Sequence, residues 1–327
     1  MRTNGRYSRR SRLRGFDPRI GVAGFIFALS ALTSAHATTI WIDTDCSIGS
    51  PLREVDDAFA LALAFQLPDL RIAGVSTSYG NAPVTATTAA TRDLLRRLSA
   101  ERTLKPPAVF PGARSRHDLG VDTAATRALA ARLSTDRALT YVCLGPLTNL
   151  ATLQVLHPTL AARIRRVIFV GGKTEPALLR LGSRHALRIH DANVVKDPGA
   201  VRQVLKMSVP LTLVPIKTAA AIALNADDMR HLGERSVSGY FVRAKSRAWL
   251  WFWTKVSGNT GGPIFDAAAI LAAADVSSVP LRERYAGVDL RGDLLISAGS
   301  ARAGRRVEVC EQLPASARRA VVEALTR

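Results

Sequence analysis

Residues 40–57 constrain this chain more than any other stretch. The apolar run Ile40-Trp41-Ile42 leads into Asp43-Thr44-Asp45, and after a ten-residue gap come Asp56-Asp57 and an apolar segment over 58–67. A strand ending in alternating carboxylates, a loop, and a carboxylate pair at a helix mouth would gather four acids at one sheet edge. Close carboxylates raise one another's pKa and destabilise a fold unless a cation compensates them. An all-oxygen donor set suits a hard ion. Asp56-Asp57 alone has a plainer reading, because acids favour the positive end of the helix they open; that reading does not extend to Asp43 and Asp45.

Residues 1–37 form a separate object. Seven arginines from Arg2 to Arg19 precede an apolar run over 20–32 and then Ala35-His36-Ala37. A basic stretch, a short apolar core and a small-residue cleavage site predict an export signal removed after Ala37. The run is too short to span a bilayer comfortably, so no retained membrane anchor is expected. Ser8-Arg9-Arg10 opens the twin-arginine route beside the general secretory one, although Arg12 stands where that signal usually has an aromatic residue. The expected destination is the periplasm or the cell exterior. The signal holds +6 of the formal +19 charge, leaving about +13 for residues 38–327. The arginines of residues 38–327 are scattered rather than run together with interleaved aromatics, which argues against a dedicated nucleic-acid surface. Cys46, Cys143 and Cys310 lack metal-ligand spacing; Cys46 and Cys143 read either as a bridge or as buried free thiols. His117, His157, His185, His190 and His231 also lack ligand spacing, and of these His190, beside Asp191, is the one placed to touch a ligand.

Short apolar strands alternate with helical patterns through 38–327. This predicts a single α/β domain, an open, largely parallel sheet with helices on both faces. Strands are expected at 71–77, 108–110, 139–144, 166–170 and 211–214. Helices are expected at 58–67, 124–133, 198–205, 237–256, 267–274 and 315–325. The stretch between Gly171-Gly172 and Asp197 reads as a long polar loop, a length usually kept for function, and 258–263 reads as a flexible link. In such sheets ligands bind beyond the carboxyl ends of the strands. Lys173, Lys217 and Thr218 are therefore placed to line a pocket.

Taken in order, the motifs resemble the nucleoside hydrolase family, the inosine-uridine preferring nucleoside N-ribohydrolases. They are Asp43-Thr44-Asp45, Asp56-Asp57-Ala58, Gly80-Asn81, the turn Gly145-Pro146-Leu147-Thr148-Asn149-Leu150-Ala151, Gly171-Gly172, Asp191 and Asn193 with Asp197-Pro198, and Asp266. The resemblance implies a Rossmann-like sheet and one Ca2+ held by Asp45, Asp57, Asp266 and the main-chain carbonyl of Leu144. It implies hydrolysis of the N-glycosidic bond of a ribonucleoside to base and ribose, with Asp45 as general base on an ion-activated water. Asp56 and Asn193 would hold the secondary sugar hydroxyls and Asp191 the 5′-hydroxyl, while Asn81 and Phe265 would line the pocket. The implied partner is a small-molecule ribonucleoside; self-association into a homo-oligomer is left open.

Three departures from the family's pattern stand out. The loop between Asp45 and Asp56 is longer and carries Gly49-Ser50-Pro51, a candidate lid. Asp191 replaces a longer Glu, and the slot of the asparagine that also touches the 5′ end falls near His185. Phe265 stands where many members have a His that acts as leaving-group acid, so stacking of the base on Phe265 and one of Trp249, Trp251 or Trp253 is the expected substitute, on the pattern of the purine-selective branch. Packing alone would also explain Trp249 and Trp253, which share one helix face. Two other readings compete: a periplasmic nucleoside- or sugar-binding protein with a degenerate site, and a phosphatase using Asp43 as nucleophile.

Overall fold

The computed structural model describes residues 37–50, 53–135, 139–174, 179–181, 187–274, 279–299 and 304–327, all in one compact unit that starts at Ala37. The signal expected over 1–37 lies outside the described residues except for Ala37, as do Pro51 of the inserted loop and His185.

Thirteen strands are described: β1 (Thr38–Thr44), β2 (Leu70–Thr77), β3 (Val109–Pro111), β4 (Thr140–Cys143), β5 (Arg166–Val170), β6 (Leu179–Leu181), β7 (Leu187–Ile189), β8 (Leu211–Val214), β9 (Ala223–Leu224), β10 (Gly262–Pro263), β11 (Arg282–Val288), β12 (Leu294–Ser297) and β13 (Arg305–Val309). Nine of them form one sheet in the order β12-β11-β13-β8-β5-β4-β1-β2-β3. From β13 to β3 every neighbouring pair is parallel. Only β11 and β12 add antiparallel pairs at one edge.

Both faces are covered, which is why the inner strands read as near-continuous apolar runs. In β1 the period of two sorts the side chains into layers. Ile40 and Ile42 enter one core with the helices Asp56–Gln66 and Ala267–Ala274. Trp41 enters the other with Tyr141, Phe169 and the helices Ala124–Thr135 and Thr148–Leu156.

Asp43 follows Trp41 into that second layer and does not join the other acids. Its Oδ1 accepts from Ser76 Oγ at 2.7 Å and Asn149 Nδ2 at 2.8 Å, and its Oδ2 accepts from the Tyr141 hydroxyl at 2.7 Å. Burial raises its pKa, and these three bonds act against the rise. Asp43 thus ties β1, β2, β4 and the Gly145–Asn149 turn together. A carboxylate spent on three buried donors is no nucleophile, and the phosphatase reading loses its central residue. Asp43→Ala would leave the three donors unpaired and is expected to destabilise the fold by about 3–5 kcal/mol, measured from the urea midpoint.

The expected helix over 237–256 is three pieces: Val237–Lys245, Arg247–Trp251 and a π-helical turn Phe252–Val256. Wider π turns often occur at functional sites. This one lets the Trp249 ring pack on Phe59 at 5.7 Å while the Trp253 ring meets Phe265 edge-on at 6.0 Å. The polar stretch before Asp197 contains the hairpin β6-β7, and the link before Asp266 contains β10, which pairs with β9. No helix among the described residues is long and apolar enough to cross a membrane.

Candidate active site

At the carboxyl ends of β1, β4 and β5 lies a cavity of about 240 Å³ with an acidic floor and an apolar wall. The floor is Asp56, Asp57 and Asp266, whose ligand oxygens lie within 4.8 Å of one another, all buried. Asp56 and Asp57 come from the first turn of their helix, and Asp266 precedes the helix Ala267–Ala274. Two helix mouths therefore converge on one point. Burial pushes all three carboxyls well above the usual range, and repulsion from neighbouring acids adds to it: Glu54 and Asp45 act on Asp56, Asp45 and Asp56 on Asp57, and Asp56 and Asp57 on Asp266. Thr44 Oγ1 and the Asp45 N–H donate to Asp57 Oδ1. The Asp266 carboxylate receives no side-chain hydrogen bond among the described residues. Three desolvated acids with too few donors, and carboxylate oxygens alone at the point of convergence, fit a hard divalent cation.

Asp45 is buried beside this trio but outside it. Its Oδ2 accepts from the Asn81 N–H at 2.7 Å and pairs with the Lys196 ammonium at 3.2 Å. The carboxylate lies against Gly80, whose φ is +156° and where a Cβ would fall 1.8 Å from Asp45 Oδ2. Gly80→Ala must displace one of the two; it is expected to cost about 2–4 kcal/mol of stability, read by thermal denaturation.

Of the other sequence-predicted residues, Asn81, Leu144, Asn193 and Phe265 line the cavity. Asn193 Nδ2 donates to the Leu144 carbonyl at 2.7 Å and the Val170 carbonyl at 3.1 Å, which leaves its Oδ1 for a ligand. Leu144 keeps a second carbonyl lone pair. Asp191 is not brought to the cavity. Its carboxylate accepts from the Gly172 N–H at 2.6 Å and the Val194 N–H at 3.3 Å, capping the helix Ala192–Lys196. Its shorter side chain is spent on backbone, and burial raises its pKa to about 6. His190 lines the cavity instead.

Lys173 is buried in an ion pair with Asp293 at 2.8 Å, and Thr218 Oγ1 donates to the Glu311 carbonyl. Lys173, Lys217 and Thr218 are absent from the cavity wall, to which Ile216 contributes. Cys46 and Cys143 are buried and free.

Two residues escaped the reading of the sequence. Lys196, one position before Asp197, brings a cation to the acids. Glu54, two before Asp56, lines the cavity and accepts from the indoles of Trp249 at 2.8 Å and Trp253 at 3.4 Å. A charge just before each motif was the only available signal. The aromatic wall is Phe252, Trp253 and Phe265, whereas Trp249 is buried behind it and Trp251 is exposed.

The fold and the cavity define an α/β protein with a carboxylate-floored, aromatic-walled pocket at the strand tips. The profile of the inosine-uridine preferring nucleoside hydrolases matches residues 40–320, and the chain belongs to that family. It is similar to uridine nucleosidase 1 of Arabidopsis thaliana, 28% identical over 219 residues covering 59% of this chain and 60% of that protein. The chain thus spans about three fifths of that relative. It is also similar to a non-specific ribonucleoside hydrolase of Shigella flexneri serotype 5b, 27% identical over 226 residues, with coverages of 63% and 70%. Among solved structures, a plant nucleoside hydrolase superposes with a TM-score of 0.73 at 22% identity, covering 89% of this chain and 98% of the other. A purine-preferring ribonucleoside hydrolase from Gardnerella vaginalis gives 0.71 at 16% identity, with 88% and 98% covered. At these identities the structural likeness is one of fold.

Proposed function

We propose that this chain is an exported, calcium-dependent hydrolase that splits ribonucleosides into free base and ribose. One observation carries the reading: within a family of nucleoside hydrolases, a buried carboxylate trio and an aromatic wall face each other across a single cavity. Ca2+ bound by Asp57 and Asp266, with Asp45 and the Leu144 carbonyl completing the set, would supply Lewis acidity toward the attacking water.

The chain's own residues do the rest. Asp45 takes the water's proton. Asp56 and Asn193 Oδ1 hold the ribose hydroxyls, and the charge of the floor acids favours the cationic sugar of the transition state. Phe265 and Trp253 receive the base on an apolar surface, the position of Phe265 leaving no imidazole there to act as acid. His190, at the cavity where Asp191 is absent, is placed for the 5′ end of the sugar. Export rests on the order of residues 2–37 and sends the mature chain, from Thr38, to the periplasm or beyond.

The test is hydrolysis of a panel of purine and pyrimidine ribonucleosides by the mature chain, in calcium and in chelator, beside Asp45→Asn. Expected are calcium-dependent release of base and a loss of at least about 1000-fold in kcat/KM for the variant. Nucleoside binding without release would overturn the hydrolase in favour of a degenerate binding protein.

A further inference from the structure

Among the described carboxylates of the cavity, Glu54 is the one tied to its aromatic wall. Both indole N–H groups converge on Oε2. Oε1 has no hydrogen-bond partner among the described residues, and the side chain lines the cavity. The arrangement is held from several sides. The Ser47 hydroxyl donates to the Glu54 carbonyl at 2.7 Å. The Trp249 ring is wedged between Phe59 and Gly262, where a Cβ would come within 2.3 Å of it. Trp253 is braced edge-on against Phe265 and Phe252.

Glu54 lines the same cavity as Phe252, Trp253 and Phe265, so a flat ligand stacked on this wall would have the carboxylate bonded to Trp253 beside its edge. We propose that Glu54 reads the hydrogen-bond polarity of the nucleobase, its Oε1 accepting from an N–H on the base's pairing edge. The inference rests on the nucleoside reading of the site. A base offering such a donor gains a charge-assisted bond in a desolvated pocket. A base offering only bare ring nitrogens sets lone pair against lone pair and leaves the carboxylate unpaired, a loss that hydrogen-bonding sites turn into strong discrimination.

The two indoles make the idea sharply testable. In Glu54→Gln they demand an acceptor, so the amide oxygen is pinned to them and the NH2 is turned toward the ligand. The substitution therefore inverts polarity without changing shape. Inosine, with an N–H on that edge, and purine riboside, with none, are compared by kcat/KM. Hypoxanthine and purine, which have no glycosidic bond to break, are compared by calorimetric Kd.

Expected in Glu54→Gln is a fall of roughly 10- to 100-fold in the preference for inosine over purine riboside, with a parallel fall for hypoxanthine over purine. Preferences unchanged within twofold, with turnover intact, would reduce Glu54 to a tie for the wall and overturn the inference while the hydrolase reading stands. A shifted ratio of base affinities, with no turnover by the unmodified chain either, would uphold the inference and defeat the hydrolase. The unmodified chain gives an independent check should the variant not fold. 1-Methylhypoxanthine, whose donor is blocked, is expected to bind at least about tenfold more weakly than hypoxanthine, and equal affinities would overturn the proposal.

Discussion

Asp266→Asn is expected to make the chain more heat-stable in chelator and less stable in calcium. The carboxylate is buried, it faces Asp56 and Asp57, and it receives no side-chain hydrogen bond among the described residues. Without an ion its charge is a net cost, so the neutral isostere relieves repulsion and desolvation together. With an ion the same charge becomes a ligand, and its loss weakens binding. A ligand at 100 times its Kd stabilises a fold by about 2.7 kcal/mol, which for a domain of this size corresponds to a shift of roughly 4–5 °C. The wild-type chain is expected to gain that much in calcium and Asp266→Asn little of it, so the two melting curves exchange order between the conditions. Equal destabilisation in both would show Asp266 to be a structural partner and remove the ion from the site. The crossing tests the site without any substrate.

The motifs that position the cavity were legible because local rules fix them. Apolar runs bounded by Gly, Pro and acids placed β1, β2, β4, β5 and β8, and the Asp56-Asp57 pair marked a helix mouth on the sequence alone. What stayed hidden depends on partners far along the chain. Asp43 and Asp45 look equivalent by the strand period, yet β1 ends at Thr44. Asp43 stays in the strand and meets Tyr141 and Asn149, about a hundred positions away. Asp45 leaves it and meets Gly80 and Lys196. Glu54 looked like one more loop acid because its indole partners lie 195 and 199 positions on. Asp191 was read by its place in a motif, but one methylene fewer than Glu leaves its carboxylate at the helix N-terminus, where backbone N–H groups claim it. The helix over 237–256 breaks with no Gly or Pro to announce it, since its turns are set by where Trp249 and Trp253 must pack.

The same buried acids give the calcium-free chain an unusual dependence on pH. A carboxyl whose folded pKa is raised adds stability that is complete below its unfolded value and is lost as pH rises through its folded value. Asp191, moved from 3.8 to about 6, accounts for on the order of 3 kcal/mol over that window. Asp43, Asp56, Asp57 and Asp266 shift in the same direction. Asp93 and Asp118, lowered by their arginine and backbone partners, act oppositely, but only as pH falls below about 4. Between pH 5 and 8 the raised group is therefore unopposed by them, and the melting temperature in calcium-free buffer is expected to fall by several degrees. Added calcium should cancel most of the fall by binding the ionised trio, because protons and the ion compete for the same oxygens. Asp191→Asn separates the contributions, since that carboxylate is outside the trio: it should remove part of the slope with or without calcium. A calcium-free melting temperature that climbs steadily from pH 5 to 8 would mean that the floor acids are compensated within the protein, with Lys196 the cation nearest to hand, and that no divalent ion is needed to hold the pocket together.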